Sequence, residues 1–123
     1  CGPIINELVR DGQVYGALAQ GIGLALSEDF EDLKKHTTLV KCGIPQIEDV
    51  PDALDVHYAK PEYSKRPDGP FGASGVGEGP LAAPHPAILN AIFNATGARI
   101  TKVPATPDVV KEALDELASK AEA

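Results

Sequence analysis

The sequence predicts an α+β fold, as a partial domain with about three helices, a few short strands and a long Gly/Pro-rich loop. Three segments repeat apolar residues at helical spacing, and one segment alternates apolar with polar residues as a half-buried strand does. The 123 residues include 12 glycines and 11 prolines, well above average usage. This composition indicates long loops, where binding and catalytic residues usually lie.

Three helices are predicted from periodicity and from their end signals. The first covers residues 13–29, and its apolar stripe consists of Val14, Leu18, Ile22 and Leu26. The second covers residues 84–96, and Gly97 is placed to end it. Thr106 and Pro107 open the third as the N-cap and the first helical residue.

Strands are predicted in three places. Residues 53–59 alternate in polarity, Arg99–Val103 form a short strand, and residues 1–12 are expected to hold the end of a strand and a turn. Residues 30–52 are expected to be loop-like, and residues 60–80 to hold no regular element. These strands are too few for an independent sheet, so the chain is interpreted as part of a domain.

Composition also excludes several classes of function. The formal net charge of −7 and the lack of a basic stripe argue against nucleic-acid binding. No apolar run approaches the roughly 18 residues that a membrane-spanning helix needs. The acidic cluster at residues 28–32 is expected to be a solvated helix end.

Cysteines and histidines show no metal-binding spacing. Cys1 and Cys42 form no CxxC pair and no zinc pattern with His36, His57 or His85. We therefore expect no metal ligands from the protein and surface or structural roles for the histidines. The sequence does not decide whether Cys1 and Cys42 form a disulfide.

The most informative stretch is the glycine-rich loop Gly72–Pro80. It does not match the dinucleotide-binding pattern, because Pro80 stands where the last glycine is needed. It also lacks the lysine of a phosphate-binding loop, and the spacing around its serine does not match a nucleophile elbow. What remains is Glu78, a lone carboxylate between Gly77 and Gly79. Such a residue is either a general base in a pocket walled by glycine or a solvated loop carboxylate, and the loop alone leaves both open.

Two separated motifs resemble a known family. Gly75-Val76-Gly77-Glu78, followed by an apolar helix punctuated by proline, resembles the active-site loop of the molybdenum hydroxylases, the xanthine oxidase family. The stretch from Asp11-Gly12-Gln13 to Ala19-Gln20-Gly21-Ile22-Gly23 resembles the glycine-bearing helix of that family. Residues 28–32 and 68–71 are similar to bacterial aldehyde oxidoreductases, and the resemblance covers about residues 1–117.

The resemblance implies roles for individual residues. Glu78 matches the active-site glutamate, and Gln20 matches a glutamine that hydrogen-bonds the pterin. Gly75, Val76 and Gly77 match the loop that passes the metal, and Ser74 lies in the same loop. Molybdenum in this family is held by the dithiolene of the pterin rather than by protein side chains.

The resemblance also implies a function for the whole protein. Residues 1–123 would be the C-terminal fragment of a molybdopterin-binding domain that oxidises aldehydes to carboxylic acids, with water as the oxygen source and Glu78 as the general base. The cofactor would be the molybdopterin cytosine dinucleotide form, with [2Fe–2S] clusters elsewhere. The implied partners are the rest of the hydroxylase chain or its subunits and a small-molecule aldehyde, in a cytoplasmic homodimer.

Other interpretations stay open. The glutamate-bearing loop is shared with hydroxylases of xanthine, carbon monoxide and N-heterocycles, so the loop cannot decide the substrate. A non-catalytic binding domain of the same shape is a second alternative. The isolated chain is in any case expected to be inactive, because so large a cofactor needs walls from several segments.

Overall fold

The computed structural model describes residues 1–52, 54–59 and 69–121, and these residues are helical, without a strand. The three helices are α1 (Glu7–Leu26), α2 (Pro84–Thr96) and α3 (Pro107–Ala121). Single 3₁₀ turns lie between them, at Ile47–Asp49, Pro70–Gly72 and Gly79–Ala82. The three predicted helices are present, but the α+β prediction, with its short strands, is wrong for the described part of the chain.

The predicted strand at 53–59 shows why alternation alone was not enough. Residue 53 lies outside the described residues. Within 54–59 the burial alternates as expected, with Leu54, Val56 and Tyr58 half-buried and their neighbours exposed. A strand also needs a second segment to hydrogen-bond with, and no other part of the described chain pairs with this one.

The other two strand predictions are also wrong. One segment has no strand to pair with in the described chain, and the other contains the start of α1. Arg99–Val103 forms no strand, although Ala98, Ile100 and Ala105 are buried in the same stretch. Near the start of the chain, α1 begins at Glu7, six residues before its predicted start. Asn6 caps it, since its Oδ1 accepts a hydrogen bond of 3.0 Å from the backbone N–H of Val9.

Residues 60–80 were expected to hold no regular element. Residues 60–68 lie outside the described chain, and residues 69–80 contain the 3₁₀ turn Pro70–Gly72 and the start of Gly79–Ala82. Each turn has a proline at its first or second position, Pro70 and Pro80, where the missing N–H is not needed.

Small residues determine how α1 packs. Its buried residues are Ala17, Gly21, Gly23 and Ala25. A Cβ atom placed on Gly21 would lie only 2.5 Å from Cβ of Pro84, the first residue of α2. The start of α2 can therefore come this close to α1 only because position 21 carries no side chain. α2 ends as predicted, because Gly97 adopts a φ of 74° and its N–H donates to the carbonyl of Phe93 at 2.8 Å.

The loop after α1 folds back on the helix end. Ser27 Oγ donates to the carbonyl of Gly43 at 2.6 Å, and the N–H of Asp29 donates to the carbonyl of Cys42 at 3.0 Å. Cys42 is buried with a free thiol, and Cys1 is free and exposed, so the two form no disulfide. None of the described helices is long and apolar enough to cross a membrane.

We expect Gly21→Ala to lower the free energy of unfolding by about 1–3 kcal/mol, because the added methyl overlaps Pro84. Gly12→Ala is the matched control in the same helix, since a Cβ there meets nothing within 4 Å. It should raise stability by about 0.5–1 kcal/mol through helix propensity. Denaturant unfolding followed by circular dichroism measures both variants, and equal effects would contradict the close α1–α2 contact.

Candidate active site

One face of α1 and the segment that begins at Gly77 enclose an open groove of about 330 Å³. The helix side consists of Gln13, Gly16, Ala17 and Gln20. These positions are spaced by three and four residues, which places them on one face of the helix. The opposite side consists of Gly77, Glu78 and Leu81. The groove therefore combines two amide side chains, one carboxylate and nearly bare helix backbone.

Glu78 stands at the start of the 3₁₀ turn Gly79–Ala82, which packs against α1. Its backbone carbonyl accepts a hydrogen bond of 3.0 Å from the N–H of Leu81. Its side chain makes no capping hydrogen bond with the turn and is exposed. The backbone thus fixes the position of Glu78, which lines the groove with a side chain that does not cap the turn.

Two glycines shape the floor of this groove. A Cβ on Gly77 would come within 3.8 Å of Nε2 of Gln13, so the loop passes the Gln13 amide at ordinary contact distance. A Cβ on Gly16 would meet nothing within 4 Å. The space beside Gly16 is open groove, and a side chain at that position would fill it.

The predicted site residues do not all meet in one place. Gln20, Gly77 and Glu78 share the groove, whereas Ser74, Gly75 and Val76 line a separate depression of about 220 Å³. Both hydrogen-bond donors of Ser74 are used within the chain: its N–H and its hydroxyl donate to the carbonyl of Cys1 at 2.9 and 3.2 Å. Ser74 therefore fastens the start of the chain to the loop.

Gln13 is a groove residue that the sequence analysis did not select. It precedes Gln20 by seven residues, which is two helical turns, and so lies on the same face of α1. Testing the helix for polar residues at this spacing would have found it. Glycine at position 16 and alanine at position 17 keep the helix surface between the two amides free of long side chains.

A charged cluster ties residues 54–59 to the first turns of α1. Asp11 Oδ1 accepts hydrogen bonds from Arg10 and from the Tyr58 hydroxyl, at 2.9 and 2.8 Å, and the Arg10 guanidinium lies 3.7 Å from the centre of the Tyr58 ring. The hydrogen bonds from Arg10 and then Tyr58 lower the pKa of the Asp11 carboxyl. Partial burial, with the bond to Asp11, raises the pKa of the Tyr58 hydroxyl. The cluster lies two residues before Gln13.

Histidines and acidic residues form no metal centre within the described chain, where no three His, Cys, Asp or Glu side chains converge. His57 contacts Asp55 at 2.9 Å on the surface, and His36 Nδ1 lies 3.8 Å from Asp29.

A cofactor that brings its own metal ligands needs other groups from the protein. It needs amide donors and acceptors, a nearby carboxylate and room for a polar ring system, and the groove fits this need.

Comparison with known proteins places the chain among molybdopterin enzymes. Residues 1–51 match the family model described as a molybdopterin cofactor-binding domain. The chain is 63% identical over 113 residues to the aldehyde oxidoreductase of Megalodesulfovibrio gigas, a match that covers 92% of this chain and 12% of that protein. It is 38% identical to the gamma subunit of a 6-hydroxypseudooxynicotine dehydrogenase complex from Paenarthrobacter nicotinovorans, over 89% of this chain and 14% of that subunit.

Solved structures agree with these matches. The aldehyde oxidoreductase from Desulfovibrio gigas superposes with a TM-score of 0.86 at 62% identity, covering 93% of this chain and 12% of that one. Quinoline 2-oxidoreductase from Pseudomonas putida superposes with a TM-score of 0.78 at 31% identity, covering 94% and 15%. The chain thus spans about an eighth of the length of its aldehyde oxidoreductase relatives. By sequence and by fold, it belongs to the molybdenum hydroxylase (xanthine oxidase) family.

Proposed function

We propose that this chain is one part of a molybdenum-dependent aldehyde oxidoreductase, in which Glu78 is the general base for the oxidation of an aldehyde to a carboxylic acid. The observation that supports this most strongly is the groove, which Glu78 lines together with Gln13 and Gln20 and with the small residues Gly16 and Ala17. Water provides the oxygen that enters the product. The described chain supplies one wall of the site, and the rest of the enzyme supplies the others.

Gln13 and Gln20 are the residues that would hold the cofactor. A side-chain amide donates and accepts hydrogen bonds, which suits the mixed polar edge of a pterin. Gly16 and Ala17 between them allow the ring system to approach the helix. When bound, the molybdopterin, in its cytosine dinucleotide form, supplies the two-electron redox chemistry, with [2Fe–2S] clusters elsewhere in the enzyme as electron acceptors.

Glu78 takes a proton from the water-derived nucleophile as that oxygen attacks the aldehyde carbonyl. Glu78 is exposed, lines the groove and does not use its side chain to cap the 3₁₀ turn. The flanking Gly77 and Gly79 leave space around it for reactants. A positioned base of this kind typically accelerates proton transfer by about 10²–10⁴-fold.

Identity favours aldehydes over aromatic heterocycles as the substrate. The aldehyde oxidoreductase of Megalodesulfovibrio gigas is 63% identical to this chain, whereas quinoline 2-oxidoreductase is 31% identical. The remaining walls of the site come from the rest of the hydroxylase chain or from its other subunits. The complete enzyme is proposed to be a cytoplasmic homodimer.

Replacing the base without changing its shape tests this proposal first. Glu78→Gln in the complete enzyme should lower kcat for an aldehyde by about 10²–10⁴-fold, because the amide cannot accept the proton. Molybdenum content should stay unchanged. Glu31→Gln, at an exposed position outside the groove, is the matched control and should leave kcat unchanged. A loss of less than about tenfold in Glu78→Gln would refute the role of a general base.

Cofactor binding is tested separately through the two amides. Gln20→Ala and Gln13→Ala should each lower the molybdenum content of purified enzyme, since each removes hydrogen bonds to the bound cofactor. Elemental mass spectrometry measures molybdenum per protein without reference to activity. If Gln20→Ala kept its full molybdenum content, Gln20 would not be a cofactor-binding residue. If both variants kept their full content, the groove would not be the cofactor site.

A side chain that fills the groove should also lower the molybdenum content, because it occupies the space that the cofactor needs. A Cβ atom at position 16 meets nothing within 4 Å and Gly16 lines the groove, so Gly16→Leu should fold, extend into the groove and bind less molybdenum. Gly12→Leu adds the same side chain to the same helix at a position outside the groove, and it should keep normal loading. Equal molybdenum content in the two variants would contradict the cofactor's position beside Gly16.

A further inference from the structure

We propose that Gly2 is a positioning residue for Glu78, because it allows the segment that precedes α1 to clamp the start of the Glu78 loop. This contact, called here the glycine clamp, joins residues 1–2 to residues 72–74. The inference rests on the proposed function, since it gives the clamp the task of holding the general base in place. Gly2 acts only through the loop and touches neither substrate nor cofactor.

Gly2 is buried against the backbone of the loop, so closely that a side chain does not fit. Its φ of 76° lies in the left-handed region that favours glycine. A Cβ atom at this position would overlap the carbonyl oxygen of Gly72 and would lie 3.2 Å from Cα of Ala73. Because these neighbours are backbone atoms, which cannot rotate away as a side chain can, a side chain at position 2 must displace the loop.

Hydrogen bonds and a strained turn lie directly beside this contact. The N–H and the hydroxyl of Ser74 both donate to the carbonyl of Cys1, at 2.9 and 3.2 Å. Phe71 has a φ of 55°, although its side chain is 87% exposed. A bulky residue keeps such a conformation only where the surrounding structure holds it. A disturbance at Gly2 would therefore let this turn relax and shift the residues that follow it.

Few contacts hold the loop between the clamp and Glu78. Within the described part of the chain, residues 75–77 make no backbone–backbone hydrogen bond, and a Cβ atom on Gly75 would meet nothing within 4 Å. The far end of the loop is fixed, because the 3₁₀ turn Gly79–Ala82 packs against α1. The position of the Glu78 backbone therefore depends on two anchors, and the glycine clamp is one of them.

Gly2→Ala in the complete enzyme tests the proposal through the step that Glu78 would catalyse. The added methyl should displace the loop and lower kcat for an aldehyde by about 10–100-fold, since a misplacement of about 1 Å can cost that much. KM should change by less than about threefold, and molybdenum content should stay the same. Gly12→Ala is the matched control and should leave kcat unchanged, because a Cβ atom there meets nothing within 4 Å.

A double variant shows whether Gly2 acts through Glu78. In a Glu78→Gln background, Gly2→Ala should lower kcat by less than about twofold, because the base that it would misplace is already absent. The same loss in both backgrounds would overturn the proposal, since Gly2 would then act on the site by another route. An unchanged kcat in Gly2→Ala alone would also overturn it.

Ser74→Ala weakens the clamp without adding an atom, so it tests the same idea in a variant that should fold. It removes the hydroxyl hydrogen bond to Cys1 and keeps the backbone one, and kcat should fall by about two- to tenfold. Ser119→Ala removes a similar bond to a backbone carbonyl in α3 and should leave kcat unchanged. A lower molybdenum content in Ser74→Ala would assign Ser74 to the cofactor and overturn its part in the clamp.

Amide hydrogen exchange tests the clamp without reference to activity. The N–H of Ser74 reports on it directly, because this group donates to Cys1. Its exchange, followed by mass spectrometry of overlapping peptides, should be at least about fivefold faster in Gly2→Ala and unchanged in Gly12→Ala. An unchanged rate in Gly2→Ala would show that no clamp exists. If Glu78→Gln kept its kcat, the proposed function would fail, and this exchange rate would still decide whether the clamp holds the loop.

Discussion

The site depends on how closely α1 approaches the start of α2. Gly21 has no side chain where Pro84 presses on the helix, and a methyl group there would overlap the proline ring. Because Gly79–Ala82 leads directly into α2, this contact also determines how far the Glu78 turn stands from α1. The distance between the two helices thus sets the width of the groove, and glycine at one position makes that width possible.

The same helix packs against α2 through one face and lines the proposed cofactor groove with a neighbouring face. Gly21 and Ala25 belong to the buried side, while Gln13, Gly16 and Gln20 face the groove. Small residues appear on both faces for different physical reasons: one face accommodates another helix, and the other leaves space for a ligand. Such a helix gives up intrinsic propensity, since each interior glycine costs about 1 kcal/mol relative to alanine, and tertiary contacts must offset that loss.

Local signals in the sequence were sufficient to predict that three helices form, although α1 begins six residues before its predicted start, and they singled out Glu78, whose role stays a prediction. Gly97 ends α2 through its own backbone conformation, and Pro107 begins α3 where proline fits best. Glu78 stood out because two glycines flank it. The strands failed because a strand requires a hydrogen-bonding neighbour, which the alternation in 54–59 cannot provide by itself. Ser74 was grouped with Glu78 by sequence proximity, yet its hydrogen bonds to Cys1 turn it toward a different depression.

The central claim is that the groove between Gln13, Gln20 and Glu78 is where the molybdenum cofactor binds. Anomalous diffraction at the molybdenum absorption edge, from crystals of the complete enzyme, tests it most directly. We expect one molybdenum peak per copy in this groove, within reach of the Glu78 carboxylate through a single hydrogen-bonded oxygen. A molybdenum peak elsewhere in the enzyme, with the groove filled by protein side chains, would contradict it.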